Sequence, residues 1–368
     1  MKAVVKNKPE KGAVFSDVPN PTNPPPGNVI VKIRATSICG TDVHIWNWDE
    51  WSNNRIGAKS LPQILGHEFA GEVVEVGPYC TRVKVGDYVS AETHIYDDSD
   101  LTTKLGILHI GNNMKIVGVD ADGCFAEYIC VPEKVLWKND KSVAPELACI
   151  QEPLGNATYA VLGEDNDIYG KTLLLTGDGP ISLFAVGVAK AAGASKIIQF
   201  GMADLNMAIG KKMGADIQVF INKTTPEEQK QIVMDATGGW GVDVALEMVG
   251  YQSSIDACLS LVRKGGRLTA FGVSPTTETK IDYTNGIVFK GLQIHGVNGR
   301  KIFDTWYRNG QMLAAGKLDP TPVITHVLPL RDFKNGFDLI TANPRQAAKV
   351  VMFPDDVEYE AAKKRMNQ

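Results

Sequence analysis

Four residues with metal-binding side chains stand far apart in this 368-residue chain: Cys39, His67, Glu68 and Glu152. Cys39 lies in SICGTDVHIWNWDEW (37–51), His67 and Glu68 in ILGHEFAG (64–71), and Glu152 in EPLGNA (152–157). One thiolate, one imidazole and two carboxylates can hold a catalytic Zn2+, which favours four-coordination and keeps one position exchangeable for substrate. Glycines on both sides of the His–Glu pair let the backbone turn close to a bound group. Each residue also has a plain alternative. A lone cysteine commonly fills space in a core, and a lone histidine is commonly a satisfied core or surface group. No CxxC or HExxH motif fixes the choice.

A second chemical signal is LLLTGDGPIS (173–182), an apolar run entering a glycine turn. Gly177 permits the sharp turn, and Gly179 carries no side chain to block a pyrophosphate. Pro180, Ile181 and Ser182 then open a helix whose free N–H groups favour an anion. The third glycine of a dinucleotide fingerprint is replaced by Ser182. At the end of the next strand, in SKIIQFGMADLN, Gly201 stands where an NAD site usually carries Asp or Glu. Losing that acid removes a repulsion against a 2′-phosphate, yet no arginine follows at once to bind one. Asp204 or Asn206 is left to reach the ribose, and NAD and NADP both stay open.

The elements that must position these residues change style along the chain. The first 150 residues read as strands and turns, as in KAVVK, NVIVKIRAT, FAGEVVEVG and GDYVSAETHI. From about 170, short apolar runs alternate with helical stretches, which predicts a parallel sheet covered on both faces. The tail has helical stretches at IFDTWYRNGQMLAAGK and DFKNGFDLITA and ends on the strand AKVVMF. The expected architecture is α/β: a Rossmann-type doubly wound sheet over 156–299, inserted into a mainly β catalytic domain made of 1–155 and 300–368.

The bulk numbers suit a soluble globular protein: 44% hydrophobic, 22% charged, net charge −4. No Lys/Arg cluster points to nucleic acid. No stretch approaches the ~20 apolar residues of a membrane span, and MKAVVKNKPE lacks the apolar core of a signal peptide. Six scattered cysteines without a disulfide-like pattern suit a cytoplasm.

Over nearly its whole length the sequence resembles the zinc-containing medium-chain dehydrogenases, whose partner domain is GroES-like. The matching pieces, in order, are SICGTDVHIWNWDEW, GHEFAGEVVEVG, GDYVSAETHI, GVDADGCFAEY, QEPLGNA, TGDGPI, GVDVALEMVG, FKGLQIHGVNGR, FDTWY and PVITH. ICGTDVHI with GHE is specific to the zinc branch. WNWDEW and FDTWY favour the members that oxidise L-threonine, here to 2-amino-3-oxobutyrate. A polyol, sugar alcohol or vicinal diol is the alternative substrate. By this likeness Cys39, His67 and Glu152 take the catalytic-zinc positions. Glu68 takes an adjacent position that ligates zinc directly or exchanges with water.

The resemblance also implies a proton relay through Thr41 and His44, whose hydroxyl and imidazole can pass a proton. It carries NAD or NADP as hydride acceptor, and a homo-oligomer, with a tetramer expected. His94 is a candidate on the substrate side, and Arg300 a candidate for a substrate carboxylate. Trp46, Trp48 and Trp51 are candidates to wall a cleft, with core packing expected for at least two. The family's structural zinc lobe, bound by four cysteines, reads YDDSDLTTKLGILHIGNNMK (96–115) here. The ligand positions hold Asp97, Asp100, Thr103 and Gly111, so one catalytic zinc and no structural zinc is the expectation. Asp97, Asp98 and Asp100 read as a solvated acidic loop in preference to a hard-cation site. The intact set Cys39, Thr41, His44, His67 and Glu152 argues against a binding protein that has lost catalysis.

Overall fold

Alternating apolar residues in the first 150 positions do form the strands they predict. In the computed structural model, which describes residues 1–276 and 278–367, the central strand is Asn28–Ser37. It pairs antiparallel with Glu68–Val76, Tyr128–Pro132 and Lys349–Phe353. Tyr88–Ala91 and Leu136–Lys138 extend the sheet on one side, and Ile324–Pro329 extends it on the other. A smaller sheet joins Lys2–Lys6 to Val14–Asp17 and Gln63–Ile64. The strand Lys349–Phe353 is buried along its whole length. That burial explains the apolar run after Lys349 and shows why the chain's last part must return to the first domain.

The core of this unit gathers Val29, Ile33, Phe69, Val73, Phe125, Phe337 and Val350. Trp46 stacks on Phe337, with ring centroids 4.6 Å apart and planes 6° from parallel. Trp48 packs against the same core, whereas Trp51 is 39% exposed. Two of the three tryptophans are therefore packing residues.

The second unit holds six parallel strands. Their order is Ile217–Phe220, Lys196–Gly201, Thr172–Thr176, Val242–Glu247, Val262–Ala270, Gln293–Gly296. The chain runs outward from Thr172–Thr176 and then restarts on its other side at Val242–Glu247. This is the doubly wound order, and it opens a crevice at the carboxyl ends of those two strands. Helix Pro180–Ala191 buries Leu183, Phe184, Val186 and Val188, which accounts for its apolar spacing. Helix Pro226–Ala236 starts from a reciprocal cap between Thr225 and Glu228.

Two expectations shift. The compact units are 1–153 with 324–368, and 154–323. The first boundary moves by two residues, but the second moves from 299 to 323, so helix Asp304–Ala314 belongs to the nucleotide unit. Its buried residues Thr305, Trp306 and Asn309 explain this: Thr158 donates to Asn309 at 2.5 Å within that unit. The chain also continues past the strand at 349–353 into helix Asp356–Arg365, capped by Asp355, which accepts from the N–H groups of Val357 and Glu358. No helix of the described residues is long and apolar enough to cross a membrane.

Asp243 pins the parallel sheet at the amino ends of its strands. It accepts from the Thr172 N–H at 2.8 Å, the Thr172 hydroxyl at 2.9 Å and Arg263 Nε at 2.7 Å. Burial pushes its pKa up, but the Thr172 N–H and Arg263 outweigh that and hold it below the usual carboxylate value. Asp243→Ala should cost about 1–2 kcal/mol at neutral pH, a modest figure because the Arg263 contact is partly open to solvent. A depressed carboxylate pKa gives stability that is present above the unfolded value, about pH 4, and lost as pH falls through the folded one. Urea midpoints of the two proteins should therefore converge as pH is lowered from about 5 towards 3.

Candidate metal and nucleotide sites

The strand register brings the distant donors together. Ser37 pairs with Glu68, so the end of Asn28–Ser37 and the start of Glu68–Val76 meet. Cys39 follows as the N-cap of helix Gly40–Asn47, where unpaired N–H groups and the helix dipole favour negative charge. One donor atom from each of Cys39, His67 and Glu68 lies within 4.8 Å of the others. His67 is 4% exposed and Glu68 fully buried. Gly66 holds φ at +91°, and a Cβ there would run into the Phe125 ring. The glycine before His67 is thus required by both backbone and packing.

Asp42 supports this group. One of its oxygens accepts from the Cys39 N–H at 2.8 Å, and the other lies 3.4 Å from His67 Nδ1. Neither that oxygen nor His67 Nδ1 has a hydrogen-bond partner, although both are buried. Burial alone lowers the His67 pKa, but Asp42 and then Cys39 outweigh it and hold it well above the ordinary histidine value. Orphaned polar atoms in so negative a pocket call for a cation. A thiol, an imidazole and carboxylates fit Zn2+.

Glu68 is not free to act alone. Both of its oxygens accept from Lys349 Nζ, at 3.0 and 2.8 Å, and it also accepts from the Ser37 hydroxyl. Lys349 donates further to the Ile38 carbonyl at 3.0 Å. Burial lowers the Lys349 pKa, but Glu68 first, then Cys39, and more weakly Glu152, raise it overall. Glu68 thus arrives already charge-compensated. Glu152, the second residue of helix Gln151–Leu162, is 3% exposed and stands outside the three-residue group.

Asp42 and Lys349 are the residues that sequence reasoning missed. Lys349 had a signal: a lysine inside an otherwise apolar buried strand requires an anionic partner. Asp42 had a weaker one, an acid three residues after a helix cap.

The other candidates are placed as follows. Thr41 is half-buried in the first turn of Gly40–Asn47. His44, on the same helix, is 58% exposed at its side chain; its Nδ1 pairs with the Asp49 carboxylate, and its ring lies 5.8 Å from that of Trp51. His94 is buried, with Nδ1 4.0 Å from Glu92. Arg300 belongs to the nucleotide unit, is 1% exposed and donates to Asn156 at 2.9 Å.

In the 96–115 lobe, Asp97 accepts from the N–H and hydroxyl of Ser99. Buried Asp100 accepts from the N–H of Asn113 at 3.0 Å and from its side chain at 2.8 Å. A Cβ on Gly111 would strike the Asp100 carboxylate. Hydrogen bonds thus close a local turn at Asp97 and bridge the lobe at Asp100, and Thr103 is half-buried in helix Leu101–Lys104.

The glycine turn follows strand Thr172–Thr176 as expected. Gly177 holds φ at +97°, and a Cβ there would lie 2.9 Å from Val249 and 3.1 Å from the Ser182 hydroxyl. Ser182 is 3% exposed, so a small residue at this third position is what the packing demands. Gly179 caps helix Pro180–Ala191, and a Cβ on it would meet nothing within 4 Å. That open space, with the N–H groups of Ile181 and Ser182 in the first turn, fits a dinucleotide pyrophosphate.

A buried zinc-type donor set in one unit and a doubly wound nucleotide sheet in the other define a metal-dependent dehydrogenase. The chain belongs to the zinc-binding alcohol dehydrogenases of the medium-chain type. Residues 25–141 match the alcohol dehydrogenase GroES-like domain, and residues 180–315 match the zinc-binding dehydrogenase domain. It is similar to L-threonine 3-dehydrogenase from Bacillus velezensis, at 44% identity over 96% of this chain and 99% of that one. Among solved structures it resembles alcohol dehydrogenase TADH from Thermus sp. ATN1, with TM-score 0.86 and 26% identity. It also resembles 2R,3R-butanediol dehydrogenase from Bacillus subtilis, with TM-score 0.84 and 26% identity. Both alignments cover 96% of this chain and 99% of the other. The protein is an NAD(P)- and zinc-dependent alcohol-type oxidoreductase.

Removing one partner of the buried pair tests how far the site rests on Lys349. Lys349→Met should destabilise the fold by about 3–5 kcal/mol, because it leaves Glu68 charged and buried. Adding Glu68→Gln should recover a large part of that loss. Urea unfolding of both variants measures the difference.

Proposed function

We propose that this enzyme oxidises L-threonine at its secondary hydroxyl to 2-amino-3-oxobutyrate, passing a hydride to a nicotinamide dinucleotide and releasing a proton. The observation that carries the chemistry is the convergence of Cys39, His67 and Glu68 within 4.8 Å, from separate stretches of chain. The choice of threonine rests on the 44% identity, over nearly the whole of both chains, to an L-threonine 3-dehydrogenase.

Bound zinc would supply a Lewis acid that favours loss of the substrate's hydroxyl proton, and the nicotinamide would supply the hydride acceptor. Cys39 and His67 would hold the metal, with Glu152 as the third donor and Glu68 as an exchangeable one. Asp42 orients His67 through its unpaired oxygen and fixes the Cys39 backbone. Lys349 restrains Glu68, so Glu68 must trade a strong ion pair to ligate a metal directly. Thr41, two residues from Cys39, offers a hydroxyl that both accepts and donates. His44 can carry a proton on Nε2 while Asp49 holds Nδ1. Together they form an exit route for the proton. His94 lies on the substrate side.

A vicinal diol is the second reading. It is favoured by the structural likeness to a butanediol dehydrogenase and by Arg300, which is buried and donates to Asn156 inside the nucleotide unit. The enzyme is taken to act as a homo-oligomer, a tetramer. The outer strand Gln293–Gly296 and the helical segment before it support assembly, since Ile294 on the edge strand and Tyr283, Val288 and Phe289 ahead of it expose apolar side chains. Six free cysteines suit a reducing cytoplasm.

Initial rates on L-threonine and 2,3-butanediol, with each nicotinamide cofactor and zinc, test the substrate. Threonine should give the higher kcat/KM; a rate confined to the diol would reverse the assignment. His44→Ala should lower kcat about 100-fold with zinc content unchanged by metal analysis. A loss of zinc instead would make His44 a structural residue.

A further inference from the structure

Resting on the dinucleotide reading, we infer that Asp178 is the acid that grips the adenosine ribose, and that it makes the enzyme select NAD over NADP. The usual place for this acid, the end of the second strand, is Gly201. Asp178 comes instead from the middle of the glycine turn, between Gly177 and Gly179. Its side chain reaches across to the same spot. A Cβ on Gly201 would lie 2.9 Å from Asp178 Cβ, 3.1 Å from Asp178 Oδ2, and against the Met207 sulfur. The space where a strand-end acid would begin is therefore already filled by an acid from the neighbouring turn. The glycine at 201 is the condition that lets Asp178 in.

The carboxylate is also held in place. Oδ2 accepts from the N–H groups of Met202 at 2.8 Å and Ala203 at 2.7 Å. The Asn206 side chain donates to the Asp178 carbonyl at 2.8 Å. No donor among the described residues reaches Oδ1, so that oxygen is left for hydroxyl groups. Two ribose hydroxyls can donate to a carboxylate; a 2′-phosphate brings like charge against it. The surroundings offer the phosphate little compensation. Asn206 is neutral and engaged, and Lys223 is paired with Asp204 at 3.0 Å. Sequence reasoning left the cofactor open because it looked for the acid at the end of the second strand and in the helix that follows, not in the glycine turn.

Calorimetric Kd values for NADH and NADPH test this on the whole protein. The native enzyme should bind NADH about 10- to 100-fold more tightly than NADPH. Asp178→Asn keeps an oxygen for the Met202 and Ala203 N–H groups and removes the charge. It should shrink that ratio at least about 10-fold, mainly by weakening NADH. Equal or tighter NADPH binding by the native protein, or parallel loss of both cofactors in Asp178→Asn, would overturn the assignment while leaving the dinucleotide site standing. Failure of the native protein to bind either cofactor would remove the site, and this assignment with it. The native-protein comparison needs no variant, so a poorly folded Asp178→Asn would not shield the claim.

Discussion

The ion pair between Lys349 and Glu68 governs the catalytic unit. Both groups are almost wholly removed from water, and neither could be buried alone without a penalty of several kcal/mol. Their attachment decides the topology. Lys349 arrives on a strand from the far end of the sequence and Glu68 on a strand from the first fifth. The pair can form only if the tail re-enters the sheet beside Asn28–Ser37. The discontinuous domain and the charge balance of the metal site are thus one constraint seen from two sides.

Around that pair the negative groups outnumber the positive ones. His67 and Lys349 are the basic side chains there, and both have pKa values raised by acidic neighbours: Asp42 and Cys39 act on His67, and Glu68, Cys39 and more weakly Glu152 act on Lys349. A cation completes the balance. The arrangement also divides labour: Cys39 and His67 are aimed by Asp42, whereas Glu68 is held back by Lys349. A carboxylate restrained in this way would have to give up its ion pair before it could hold a cation directly.

The nucleotide unit solves a similar problem with neutral backbone. Parallel strands converge on a crevice, Gly179 leaves space at a helix start, and Asp178 and Gly201 share one position between two strands. An acid at both places would clash and repel; an acid at neither would leave the ribose without an acceptor. In the 96–115 lobe a buried carboxylate is likewise satisfied locally, where Asp100 accepts from the backbone and side chain of Asn113.

Much of this was legible in the sequence. Strand alternation, the strand–helix rhythm after residue 170 and the glycine turn follow from local periodicity and residue chemistry, which a linear string records; Cys39, His67, Glu68 and Glu152 could be named as candidates, but no local motif fixed them as donors. The domain boundary at 323 was not legible, because helix Asp304–Ala314 has the same apolar spacing whichever unit buries it. Nor were the partnerships of Lys349 with Glu68, Asp42 with His67, and Asp178 with the backbone beyond Gly201. The sequence by itself determined which groups could carry charge and where the chain must turn. Only the tertiary structure decided which charges share a dry pocket, because electrostatic pairing depends on distance through space and on exclusion of water, and strand register sets both.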